Sequence, residues 1–279
     1  MQDGQDMRDR QRAALARRYG GAAVPSAGPW SGVIDGLLAH RTVRGYKPDA
    51  LPAGTLETLI AAAQSAATSS NLQTWSVVAV TDAAKKTTFA KLAGGQKHIE
   101  QCPLFLAFLA DLSRLGRLSD AEGRNLEALP YLETFLVAAI DAALAAQNAV
   151  VAAESIGLST VYIGAMRNDP GAVARELTLP QGAVCVFGLC VGYAMPTHVG
   201  EVKPRLSQAM VLHREAYQAG DEAAGRRSYD RLLEDFSRRN EMSAYTWTER
   251  VMSRVGRVAA INGRDKLKEQ LRRLGFPLR

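Results

Sequence analysis

Five short clusters in this chain carry residue types suited to binding and polarising a small ligand. His40-Arg41-Thr42-Val43-Arg44 packs three basic side chains and a hydroxyl just behind a helical stretch, and together these could hold a phosphate and a carbonyl. The plainer alternative is a solvated basic helix end, where cations meet the negative pole of the helix dipole. Thr68-Ser69-Ser70-Asn71-Leu72-Gln73 offers hydroxyl and amide donors to a polar ligand, or is an ordinary helix-terminating loop. Gly94-Gly95-Gln96-Lys97-His98 is a ligand-facing loop or a glycine C-cap with polar residues after it. In Tyr162-Ile163-Gly164-Ala165-Met166-Arg167-Asn168 the small residues at 164 and 165 would let backbone N–H groups approach a flat ligand, or they mark a strand-ending turn. Lys203-Pro204-Arg205 sets two cations on one side of an extended stretch, because residues i and i+2 share a face and proline disfavours helix before it. A phosphate could be gripped there, although an exposed Lys-Pro-Arg is common.

Other chemistries find less support. The three cysteines, Cys102, Cys185 and Cys190, have neither disulfide-framework nor zinc-ligand spacing and read as buried small apolar residues. His98, His198 and His213 share no ligand spacing with carboxylates, so no metal is expected. There is no Gly-x-Ser-x-Gly, and no Gly-x-Gly-x-x-Gly follows a strand. The net charge of +6 suits an anionic small ligand, and 6% aromatic residues are few for a nucleic-acid surface. No uninterrupted apolar run approaches the ~20 residues that span a bilayer, and no secretory h-region follows the charged N-terminus. The expected setting is the cytoplasm, with neither membrane nor nucleic acid as partner.

These clusters need a scaffold. Residues 1 to about 30 read as an N-terminal arm, a basic helix followed by the breaker stretch GGAAVPSAGP. Ser31 is expected to cap a short helix with the apolar stripe Val33, Ile34, Leu37 and Leu38, and Thr55 to cap the next. Strands are expected at 76–81, 104–110, 158–164 and 184–192, the last nearly all apolar and therefore central. Asp82 should cap a helix ended by Gly94, and Asp169-Pro170 should open another. Leu132 to Ile156, stopped by Gly157, reads as a helix apolar all round and covered on all sides, as in a core or a subunit interface. Residues 31–206 form the core in this reading, and 207–279 a charged helical extension with Trp247. The irregular alternation of elements favours an α+β sandwich.

Taken in order, HRTVR, TSSNLQ, AGGQKH, AAQNAVVAAESIGL, VYIGAMRND, VFGLCVGY and VKPRL resemble the nitroreductase superfamily. They are most similar to its NADPH-dependent oxygen-insensitive nitroreductases and NADPH–FMN oxidoreductases. The resemblance implies a three-layer α+β sandwich with a central mixed sheet, an intertwined homodimer and FMN at the subunit interface. It implies that His40, Arg41, Thr42, Lys203 and Arg205 hold the FMN phosphate and ribityl chain. Arg44 and Gln96 would reach the pyrimidine edge of the flavin and take the catalytic role. Ser69, Ser70, Asn71 and Gln73 would line ring and chain, with the backbone of Ile163, Gly164 and Ala165 along the other edge. Ala165 stands where glycine is common, and its methyl is expected near the flavin. The implied reaction is a ping-pong, two-electron transfer from NADPH or NADH to a nitroaromatic, a quinone or free flavin. Of the arginine pair that meets the NADPH 2′-phosphate, Arg238 matches the first and Ser243 occupies the second, which leaves the donor open. The 207–279 extension would complete the dimer and the nucleotide site. The alternatives are a flavin-fragmenting reaction on the same fold and a non-catalytic flavin-binding redox sensor.

Overall fold

The protein is described by a computed structural model over residues 2–21, 24–243 and 245–279. Ala22 and Ala23 of the breaker stretch, and Ala244 beside Ser243, lie outside the described residues. Along the chain come α1 (Gln2–Tyr19), α2 (Gly32–Ala39), α3 (Thr55–Gln64), β1 (Trp75–Val80), α4 (Ala83–Leu92) and α5 (Lys97–Gln101). They are followed by β2 (Leu104–Asp111), α6 (Ser113–Glu122), α7 (Leu132–Ser155), β3 (Ser159–Ile163) and α8 (Pro170–Glu176). The last are β4 (Ala183–Gly192), α9 (Glu222–Arg239), α10 (Trp247–Val255) and α11 (Leu267–Arg273). They fall into two compact units, one of Met1–Arg41 with Val199–Ala260 and the other of Thr42–His198 with Ile261–Arg279.

The larger unit is a three-layer α+β sandwich. Its sheet runs β1-β2-β4-β3, antiparallel at every strand pair, and a parallel component enters only through the isolated bridge of Thr42 to Thr160. Every residue of β2 is buried, as the near-continuous apolar run requires. Alternate side chains feed two cores. Leu104, Leu106 and Phe108 meet Leu59 of α3 and the alanine face of α7, while Phe105, Ala107 and Leu109 meet Phe89 and Ile99 on the other side. Opposite Phe108 and Leu109, β4 carries a bulge, with Phe187 and Cys185 as partners and Val186 left over. That extra residue reverses the alternation, so Cys185 and Cys190 share one core although they lie an odd number of residues apart. Gly188 has to lack a side chain: a Cβ there would stand 2.1 Å from the Phe105 ring.

Local signals explain most helix ends. Asp82 accepts the Lys85 N–H (2.8 Å) and Asp169 the Ala172 N–H (2.8 Å), with Pro170 in the first turn. Two expectations shift. Gly54, not Thr55, caps α3, and the Thr55 hydroxyl turns back to the Pro52 carbonyl (2.7 Å). Ser31 precedes α2 without a side-chain cap bond, and the α2 stripe is not buried within the chain. The long helix α7 is also not covered on all sides. Its alanine face is buried, but Leu132, Leu136, Ile140 and Leu144 are open to solvent. By length and composition α7 could cross a membrane; it instead packs along α3 and β2 and carries a buried carboxylate, Asp141.

In the smaller unit, α1 buries a single face made of Gln11, Ala14, Leu15 and Arg18, at helical spacing. Tyr229, Leu233 and Phe236 of α9 form a core with Leu206, Tyr245 and Trp247. Thr246 and Glu249 close a reciprocal capping box at the start of α10, and Asp230 of α9 accepts both the N–H and the hydroxyl of Thr248.

Candidate functional site

The hydroxyl-rich loop of the larger unit is strained and braced at once. Ser70, Asn71 and Gln73 all have left-handed backbone, with φ of 49°, 55° and 51°. For residues other than glycine that costs roughly 1–2 kcal/mol each, so something must hold them. Asp141 does. Its carboxylate accepts the Thr68 hydroxyl (2.6 Å), the Ser69 N–H (3.1 Å), the Thr74 N–H (3.3 Å) and the Thr74 hydroxyl (3.1 Å). Hydrogen bonds to a charged group contribute about 1.5–3 kcal/mol each, enough to offset the strain. A second brace comes from Arg114, which donates to the Gln73 carbonyl (2.7 Å) and to the Ser76 hydroxyl (3.0 Å). Asp111 in turn accepts the hydroxyls of Ser76 and Ser113. Burial opposes ionisation of Asp111, but these hydroxyls and the Arg114 charge outweigh it and hold its carboxyl below the usual range. The loop therefore presents exposed Ser69, Ser70, Asn71 and Gln73 from a fixed backbone, and the Gln73 amide donates to Asn71 Oδ1 (3.3 Å).

Thr42 to Lys47 runs alongside the sheet. The Val43 N–H donates to the Thr160 carbonyl (3.1 Å) and the Lys47 N–H to that of Tyr193 (2.9 Å). Alternation buries Val43 and Gly45 and leaves Thr42 and Arg44 exposed. Gly45 is required here, since a Cβ would sit 2.3 Å from the His198 ring. Arg44 is near enough to His98 to disfavour its imidazolium; burial is the larger cause, and together they pull the His98 pKa below its ordinary value. His98 Nε2 is buried without a hydrogen-bond partner. Gln96, half-buried, donates its side-chain amide to the Ala93 carbonyl (2.9 Å).

Beyond β3, Ile163 leads into a short 3-10 turn, Gly164–Asn168. The Arg167 guanidinium donates to the carbonyl of Val186, the bulged residue of β4, and so ties this turn to the sheet. The Ala165 methyl, expected near the flavin, is 9% exposed within this chain. It is buried in the core with Ile163, Met166 and Val173, because the turn directs it inward.

In the smaller unit, His40 caps α2 and Arg41 donates to the Gly200 carbonyl (3.3 Å). Lys203 lies over the Phe236 ring at 5.6 Å, the Pro204 carbonyl accepts the Tyr229 hydroxyl (2.9 Å), and Arg205 is exposed. Arg238, on the exposed side of α9, is paired with Glu234 at 2.5 Å.

Two residues here, Asp141 and Arg114, stand outside the candidate clusters of the sequence, whereas His98 belongs to the Gly94–His98 cluster. Asp141 did leave a signal, a carboxylate in the middle of an apolar helix. Arg114 left none that separates it from surface residues.

Fold and loops together define an α+β sandwich protein whose segments 42–47 and 68–74 are tied by hydrogen bonds within the larger unit. The sequence pattern of the nitroreductase family matches residues 37–193, and that of the nitroreductase family C-terminal domain matches 203–279. The chain belongs to the nitroreductase family. It is 36% identical to an FMN reductase (NADPH) of Bacillus subtilis, over 85% of this chain and 96% of that one. It is also 36% identical to an oxygen-insensitive NADPH nitroreductase of Salmonella typhimurium, over 79% and 90%. A nitroreductase structure from B. subtilis superimposes with a TM-score of 0.82 at 34% identity, over 88% of this chain and 99% of that one.

Proposed function

We propose that this protein is an FMN-dependent NAD(P)H oxidoreductase that passes two electrons to a small acceptor such as a nitroaromatic, a quinone or free flavin. The observation that carries this reading is the family match, which runs through every candidate segment and brings relatives named FMN reductase and NADPH nitroreductase.

The residues fit an FMN group. A dianionic phosphate calls for cations, and the smaller unit supplies His40, Arg41, Lys203 and Arg205, with Thr42 following directly in the chain. A polyhydroxylated chain and a ring with polar edges call for fixed short donors. Those are Ser69, Ser70, Asn71 and Gln73 on the loop that Asp141 pins. The backbone of Ile163, Gly164 and Ala165 offers a flat approach, and the orphaned His98 Nε2 is a buried polar atom in want of a partner.

FMN, when bound, accepts a hydride from the nicotinamide and later releases two electrons to the acceptor. The chain's part is orientation and electrostatics. Arg44 would offset negative charge at the pyrimidine edge of the ring, and Gln96 would hydrogen-bond that edge on leaving its bond to Ala93. His98, held neutral, adds no competing positive charge. Donor and acceptor occupy one slot in turn, giving ping-pong kinetics. Arg238 would meet the donor's 2′-phosphate by exchanging Glu234 for it, and Ser243 at the second position leaves NADPH or NADH as the donor.

Functionally the chain divides into an arm (1–30), a flavin-binding core (31–206) and an extension (207–279) that completes the nucleotide site. The protein works as a homodimer, which would cover the open apolar face of α7. Its free, buried thiols suit the reducing cytoplasm. Stopped-flow reduction of Arg44→Ala tests the assignment. Reduction should slow by about a hundredfold to a thousandfold, as when one donor that stabilises developing charge is lost, with FMN occupancy little changed. Loss of occupancy with a normal rate in the remaining holoenzyme would reject the catalytic role.

A further inference from the structure

We propose that Arg18, in the last turn of the N-terminal arm, is a positioning residue for the phosphate-holding half of the flavin site, clamping the segment 38–40 to the segment 203–205. This rests on the FMN reading above. The arm lies ahead of the family match, which begins at residue 37, so the likeness to the family does not account for it.

Arg18 is 6% exposed, on a helix that otherwise turns its basic residues outward. Its Nη2 donates to the carbonyls of Leu38 (2.7 Å) and His40 (2.8 Å), and its Nη1 to the carbonyl of Lys203 (3.0 Å). Its own carbonyl accepts the Arg205 N–H (2.9 Å). One residue thus grips both segments that carry the candidate phosphate cations.

The consequence follows from peptide geometry. In a trans peptide C=O and N–H point in opposite directions. Holding the His40 carbonyl toward Arg18 therefore turns the Arg41 N–H away from the clamp, to the side where an anion would be met. Fixing the Lys203 carbonyl and the Arg205 N–H sets the backbone on both sides of Pro204, and Tyr229 fixes the carbonyl between them. The spacing of Lys203 and Arg205 is then set before any ligand arrives, which lowers the ordering cost of binding. A buried guanidinium also adds a poorly screened positive charge to the cluster. Lysine is a poorer substitute, because its ammonium concentrates three donors on one atom, whereas two separate guanidinium nitrogens reach the 38–40 and 203 carbonyls.

The experiment compares FMN with riboflavin, which lacks the phosphate, on full-length Arg18→Ala, Arg18→Lys, Arg205→Ala and, as a control in the arm, Arg12→Ala. Dissociation constants are read by flavin fluorescence, and thermal melting checks the fold. Both Arg18 variants should weaken FMN by at least about tenfold, the effect of about 1.4 kcal/mol, and leave riboflavin within about twofold. Arg12→Ala should change neither. Equal weakening of both flavins, or no weakening, would overturn the positioning role. If Arg18→Ala does not fold, Arg18→Lys decides on the same ratio. Should Arg205→Ala also leave the FMN-to-riboflavin ratio unchanged, the phosphate reading itself fails; a shift for Arg205→Ala alone removes only Arg18.

Discussion

Asp141 shows how one side chain can set a binding loop. It lies 2% exposed, and through four hydrogen bonds it fixes the ends of a segment whose middle is strained. Replacement by alanine leaves the Thr74 donors buried without partners and lets the strained residues relax. Asp141→Ala should lower the unfolding free energy by roughly 2–4 kcal/mol and weaken FMN retention; denaturant unfolding and dialysis of the holoprotein check both. A stable variant that retained its flavin would contradict the brace. His98 makes a prediction in pH. Burial, then Arg44, depresses its folded pKa, so the unfolded chain takes up the proton first as pH falls. The stability tied to neutral His98 is present above the unfolded value of about 6.5 and is lost as pH drops toward the folded one. Melting temperature should decline from pH 7.5 to 5.5, and His98→Gln should flatten that decline.

At the scale of elements, much was legible in the sequence. All four strands stand close to their apolar runs, and Asp82, Asp169-Pro170 and Gly157 mark the helix ends they were read to mark, because those signals act within one turn of chain. The register slip at Val186 was not legible, since a bulge depends on the partner strand. The burial of Ala165 depends likewise on how its turn packs, and the shift of the cap from Thr55 to Gly54 on a competing bond to Pro52. Candidate segments could be found by residue type, but what braces them could not, for Arg114 and Asp111 meet the loop only through the fold. The all-round apolarity of α7 is explained if its open face, with Leu136 at 45% and Ile140 at 57% exposed, is covered by a second copy. The double variant Leu136→Asp with Ile140→Asp should shift the protein from dimer to monomer by light scattering and reduce its bound FMN. A variant that stays dimeric would place the interface elsewhere.

At the scale of the whole molecule, each compact unit carries its own candidate residues. In the larger unit the proposed ring-facing donors stand on a braced loop, and in the smaller the proposed phosphate cations stand on the segments 40–41 and 203–205. In the proposed reading the N-terminal arm, outside the family match, acts through Arg18 on the segments 38–40 and 203–205. The central claim is that this chain carries FMN and reduces it with a nicotinamide. It is tested most directly by recording the visible spectrum of the purified protein, titrated anaerobically with NADPH and in parallel with NADH. The account predicts an oxidised-flavin band that bleaches fully with one equivalent of donor per FMN and returns when a quinone is added. A colourless protein that takes up no FMN, or a yellow one whose band survives excess of both donors, would contradict it.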